Sequence, residues 1–140
     1  MLNKMEKNKR QIKFRAWDEV DKKMVNITAF NFVDGNGKEV PSVIMVKYKD
    51  GKKFYEAMEM SILLLQFTGL EDKNGKEIYE GDIVELKDKS IVPHGEVRFF
   101  KGFIGVQLEV GTVLGLGFEK DSKVIGNIYE NPDLLEKDKE

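Results

Sequence analysis

Cysteine is absent from this chain, and histidine occurs once, as His94. Without cysteine there is no disulfide, no thiolate metal site and no cysteine nucleophile. His94 would have to serve as a general base alone, and no Gly-x-Ser-x-Gly elbow surrounds any serine. Set between Pro93 and Gly95, it reads as a loop residue. Long apolar runs are missing too. None exceeds four residues, as in residues 62–65, where a membrane-spanning helix needs about 20. Residues 1–10 are polar, with no apolar stretch behind their basic side chains, so no secretory signal is expected there. Without a signal, the Asn26-Ile27-Thr28 glycosylation pattern carries no weight. The glycines Gly111, Gly115 and Gly117 lack a Gly-Lys-Ser/Thr ending, which excludes a phosphate loop. These absences point to a cytoplasmic protein with no membrane segment, no cofactor, no metal, no small-molecule substrate and no enzyme activity.

What is present is an ordinary soluble composition, 41% hydrophobic and 34% charged over 140 residues. That is one domain's worth of chain, long enough to bury a core without staples. The net charge of −2 hides a gradient. Residues 1–23 carry eight basic against four acidic side chains, and residues 119–140 carry seven acidic against four basic. A basic entry could touch nucleic acid. The competing reading is a pair of solvated tails, since the chain lacks the basic balance of a dedicated nucleic-acid binder.

Hydrophobic periodicity predicts mostly strand. Residues 12–17 alternate, with Ile12, Phe14 and Ala16 on one face and Lys13, Arg15 and Trp17 on the other. Residues 24–32 and 43–48 continue the pattern, with turn chemistry at Asp34-Gly35-Asn36-Gly37 and Asp50-Gly51. Residues 56–65 leave helix and strand both open: their leucines, methionines and alanine favour helix, but the run is short and uncapped. Residues 63–67 are read as strand. Beyond them, residues 82–87, 95–100, 103–108, 114–118 and 124–129 predict five short strands of a small closed or nearly closed barrel. Asn131-Pro132-Asp133 then predicts a single helical turn, with Asn131 as its cap and Leu134 or Leu135 plugging the barrel.

The central residues 66–84 hold the most distinctive text. Asp72-Lys73-Asn74-Gly75 resembles the start of a calcium loop. With Gly75 at the sixth position, however, the first ligand would be Leu70 and the twelfth Gly81, and both fail. The alternative is turn chemistry. Asn74 and Gly75 would take positive φ, Asp72 would hold backbone amides, and Gly69 would supply another turn. Gly81 and Asp82 would bend the chain into the next strand and accept backbone hydrogen bonds. Lys13, Arg15, Trp17 and Arg98 remain as candidate binding residues, because an aromatic amid cations can stack on a base and hold phosphate. Equally, Trp17 can cover the edge of a core while the cations extend along it to water. Arg98 beside Phe99 and Phe100 admits the same two readings.

The segments Lys13-Phe14-Arg15-Ala16-Trp17-Asp18, Lys22-Lys23-Met24, residues 66–84, Gly95-Glu96-Val97 and residues 125–135 together resemble the YopX family, encoded mainly by phages and prophages of low-GC bacteria. The match frames nearly the whole chain but is thin over residues 28–63. The resemblance implies a mainly β fold (α+β at most) with an SH3-like C-terminal half, and implies no biochemical activity. The expected organisation is a tail over residues 1–10, an N-terminal β lobe over 11–68, a barrel lobe over 69–135 and a charged tail over 136–140. The expected role is a phage accessory protein that binds a protein partner or copies of itself. Nucleic-acid binding through the basic, aromatic N-terminal strand is the alternative.

Overall fold

The computed structural model describes residues 11–33, 39–48, 51–55, 62–86, 94–108, 111, 113–115 and 117–136. Among these, the chain forms two antiparallel sheets. The first contains β1 (Phe14–Asp18), β2 (Lys23–Val33), β3 (Glu39–Tyr48), β4 (Gly51–Tyr55), β5 (Ile62–Glu71) and β6 (Glu77–Tyr79), in the order β4-β3-β2-β1-β5-β6. The second contains β7 (Asp82–Leu86), β8 (His94–Phe100), β9 (Phe103–Leu108), β10 (Val113–Leu114) and β11 (Ser122–Asn127), in the order β10-β9-β8-β7-β11. Each sheet is a four-strand meander followed by a strand that returns to the far side of the meander's first strand. The expected turn at residues 34–38 and the ambiguous residues 56–61 lie outside the described set.

β1 is therefore a central strand, and this decides its burial. Its register sets Ala16 against Val25 and Leu64, and Trp17 against Met24 and Leu63. Ala16, Trp17 and Asp18 are all buried, so both faces of the strand are covered at its end. The alternation is real, but it does not divide a wet face from a dry one.

The second sheet curls into a half-barrel, open between its edge strands β10 and β11. The expected closure comes instead from the first sheet. Ile78 of β6 is fully buried among Val84, Leu86, Val97, Val106 and Val124, with Leu70 of β5 packed beside them. The end of the β5–β6 hairpin thus supplies the side chains that fill the concave face. Gly95 lets β8 lie close to β9, since a Cβ there would overlap Val106 Cγ1.

Two short strands, β4 and β6, were not legible from alternation. The run at residues 114–118 resolves into β10 and a 3-10 turn at Phe118–Asp121. The helical turn is Asp133–Glu136 and packs against β8. Leu134 and Leu135 are only half-buried, because Ile78 holds the position one of them was expected to fill. Asn131 faces backwards as well: its Oδ1 accepts from Asn127 N at 3.2 Å.

Candidate functional site

The side chains of β1 reach the junction between the sheets, where acidic partners meet them. Arg15 Nη2 donates to Asp82 Oδ1 at 2.5 Å and lies 3.5 Å from the Glu80 carbonyl. Its guanidinium also stacks over the Tyr79 ring, 4.7 Å from the centroid. Lys13 Nζ donates to Glu77 Oε1 at 2.5 Å and sits 5.3 Å from the Phe67 centroid. Trp17 is 6% exposed and stacks on Tyr129, with centroids 5.6 Å apart. Three of the four candidate binding residues are thus paired within the molecule, Arg15 and Trp17 largely buried and Lys13 in a partly exposed pair. The fourth, Arg98, is exposed on β8, apart from them, with its guanidinium 5.7 Å from the Phe100 centroid.

The turn residues behave as a pair of clamps. Asp72 is 6% exposed and accepts three backbone N–H groups, from Asn74 and Lys76 at 2.9 Å and from Val124 at 3.0 Å. Burial alone would push its carboxyl up, but the three amides with Lys76 nearby hold it below the ordinary range. Lys73 N also donates to Ser122 O. The first sheet's hairpin therefore covers the free edge of β11. Asp82, 1% exposed, accepts from Arg15 and, at 2.8 Å, from Tyr79 N. Burial pushes its carboxyl up, against the pull of Arg15.

Gly75 and Gly81, between the clamps, take positive φ, near +81° and +85°, as does Gly69, near +83°, which lies not in the expected turn but within β5 where its register with β6 shifts. Asn74 does not; Gly75 alone carries that requirement. Gly81 is also tightly enclosed. Its N–H donates to Val97 O, its carbonyl accepts from Ile128 N, and a Cβ would lie 3.3 Å from Tyr129 Cε2.

Two surface features stand apart from this internal network. The first is the β8–β9 hairpin tip, where Phe100 and Phe103 stack with centroids 5.1 Å apart and Phe103 is 45% exposed. The second is the N-terminal half of β5, where Leu63 and Leu64 are exposed. His94, expected in a loop, begins β8 opposite Glu85, with Nε2 3.5 Å from Oε2. This is an ordinary cross-strand neighbour contact.

The residues missed from the sequence are the partners: Glu77, Tyr79 and Glu80 from the central stretch, and Tyr129. Their only signal was the spacing of residues 77, 79 and 80 around Ile78. Tyr79 shows how enclosed they are. Burial, reinforced by the hydrogen bond it donates to Glu77 Oε2 at 3.1 Å, pushes its hydroxyl up to about 12.

The YopX protein family model matches residues 13–136 of the chain. Two solved structures are similar along nearly their whole lengths. Protein EF1440 from Enterococcus faecalis is 28% identical, with a TM-score of 0.58, over 91% of this chain and 99% of that one. Protein yopX from Bacillus subtilis is 24% identical, with a TM-score of 0.58, over 88% of this chain and 97% of that one. No curated protein sequence matches the chain. Neither similar structure carries the name of a reaction or a ligand.

Proposed function

The chain belongs to the YopX family, and from that premise we propose that it is a non-catalytic binding protein of the bacterial cytoplasm whose partner is another protein. The observation that carries this is the apolar edge of β5. Leu63 and Leu64 are each 38% exposed, on the part of β5 that, among the described residues, pairs with β1 but not with β6, and an uncharged strand edge recognises extended polypeptide. Two of the basic and aromatic groups of β1 support the same choice in reverse, since Arg15 and Trp17 are largely buried against Asp82 and Tyr129.

The test is site-specific photo-crosslinking of the full chain in its host cell. A benzophenone side chain at position 64 is expected to form a protein adduct, and one at exposed Lys120 is not. No adduct from position 64 would overturn the proposal.

One observation favours nucleic acid instead: at the β8–β9 tip, exposed Phe103 is stacked on Phe100 with Arg98 and Lys101 beside it. That alternative requires a mobility shift that weakens as salt rises and disappears in Phe103→Ala. An unshifted probe at low ionic strength ends it.

A further inference from the structure

The β8–β9 hairpin ends in a short stack of planar groups with one side open. Phe100 and Phe103 face each other across the ladder, and Arg98 lies two residues back from Phe100, so all three side chains stand on one face. The other face is the core one, with Val97, Ile104 and Val106. On the outer face the Arg98 guanidinium lies 5.7 Å from the Phe100 centroid, and Phe100 stacks on Phe103 with the rings 16° from parallel. Phe100 is therefore engaged twice and half-buried. Phe103 stacks on Phe100 alone among the described residues and keeps 45% of its surface exposed. The turn between them, Lys101-Gly102, stands clear of the protein: both residues are exposed, and a Cβ on Gly102 would meet nothing within 4 Å. Arg98 is exposed as well, and its ladder partner Gly105 has no side chain to cover it. Residues 97–106 hold these two cations and no acid, in a chain whose net charge is −2.

An open ring flanked by two cations matches an unpaired nucleobase with the phosphates on either side of it. Inside a duplex both faces of a base are already stacked, so a hairpin tip that offers one ring has nothing to receive there. Going beyond the protein-binding role of β5, and resting on the nucleic-acid reading of this tip, we infer that the β8–β9 hairpin binds single-stranded nucleic acid by stacking one unpaired base on the open face of Phe103, with Arg98 and Lys101 each meeting a phosphate. The stacking is indifferent to base identity, since every base offers a π-face. Glu96, the next residue along the outer face, is half-buried opposite Gln107 and sets the inner limit of the basic strip. The tip belongs to the second sheet and the β5 edge to the first, so the two bindings use different residues. One base and two phosphates make a weak, salt-sensitive site. The logarithm of its affinity falls against the logarithm of salt with a slope of about −1.4, at about −0.7 for each phosphate.

The test uses the intact chain carrying Phe103→Trp and an oligothymidylate of about twelve nucleotides, within the span of known single-strand sites. Trp17, the chain's one native tryptophan, is buried against Tyr129, so quenching by the oligonucleotide reports the new indole. Quenching is expected in Phe103→Trp, with the salt slope given above, and not in wild type. In a mobility shift, the same strand annealed to its complement is expected to bind clearly less. Phe103→Leu, with an unchanged urea midpoint, keeps an apolar side chain without the ring and is expected to bind roughly 5- to 150-fold more weakly. Arg98→Gln combined with Lys101→Gln is expected to flatten the salt slope. Undiminished binding by Phe103→Leu, or equal binding of the duplex, overturns the inference and leaves the broader nucleic-acid reading standing. No shift and no quenching at low ionic strength end both. A benzophenone side chain at position 103 that captures protein in the host cell, and never nucleic acid, also overturns the inference.

Discussion

Replacing Asp72 by alanine removes one acceptor group that serves two sheets, and its consequence can be worked from three hydrogen bonds. The amides of Asn74 and Lys76 belong to exposed residues and can turn to water, so losing each costs about 0.5–1.5 kcal/mol. The Val124 amide belongs to a buried strand residue and would be left without an acceptor, at about 1–3 kcal/mol. The total is about 4 kcal/mol, a large part of the stability of a domain this size. Asp72→Asn keeps one oxygen for the turn amides but sets an NH2 against the Val124 N–H, for a loss of about 2 kcal/mol. The folded carboxyl titrates below its ordinary value. Its contribution is therefore present above the ordinary carboxylate range and is lost as pH falls through the folded value. Wild type and Asp72→Asn should differ most near neutrality and converge in acid. Urea midpoints across that range, with amide exchange at Val124, make the measurement. A loss for Asp72→Ala below about 1 kcal/mol, or undiminished protection at Val124, would refute the clamp.

Trp17→Ala should cost about 3–5 kcal/mol by urea titration, the mark of a core residue stacked on Tyr129 and not of an exposed binding surface. Replacing Arg15 or Asp82 singly strands a buried charge and should cost about 3–5 kcal/mol, whereas the double replacement by apolar residues should cost clearly less than the sum in a double-mutant cycle. Gly81→Ala should lose at least about 1–2 kcal/mol of stability from its positive φ alone, with the crowding against Tyr129 added. In a spectrophotometric titration one tyrosine should ionise only near pH 12, and Tyr79→Phe should remove that step.

Most strands were legible because alternation reports a sheet wherever one side is buried. β1 was located correctly, and its facing was where alternation failed. The pattern of Lys13, Arg15 and Trp17 cannot say whether water or a second sheet lies opposite them, and here Glu77, Asp82 and Tyr129 do. Those partners come from sequence separations of 64 and more, beyond any local signal. Turn chemistry read well at Gly75, Gly81 and Asp72, because positive φ and short acceptor side chains are local requirements, whereas Gly69 takes its positive φ inside β5, where the register with β6 shifts, and not in a turn. What Asp72 holds at Val124 is not local, so a residue legible as a turn proved also to be a joint between sheets. β6 and β4 escaped notice because three and five residues give a period of two little room to show itself.

The order of strands sets a schedule for folding. In each sheet the strand that opens the meander ends in the middle, flanked by a partner that follows at once and another that arrives only after the meander is complete. β1 ends at Asp18 and must wait for Ile62, and β7 ends at Leu86 and must wait for Ser122. Both return pairings are long-range closures of the kind that slow folding. They also fall in sequence with synthesis, so the first sheet can be complete before the strand that completes the second has been made. Until β11 docks, β7 presents a bare flank and the Asp72 carboxylate has no Val124 amide to hold. The Asp72–Val124 joint between the sheets can close only once that returning strand has been made.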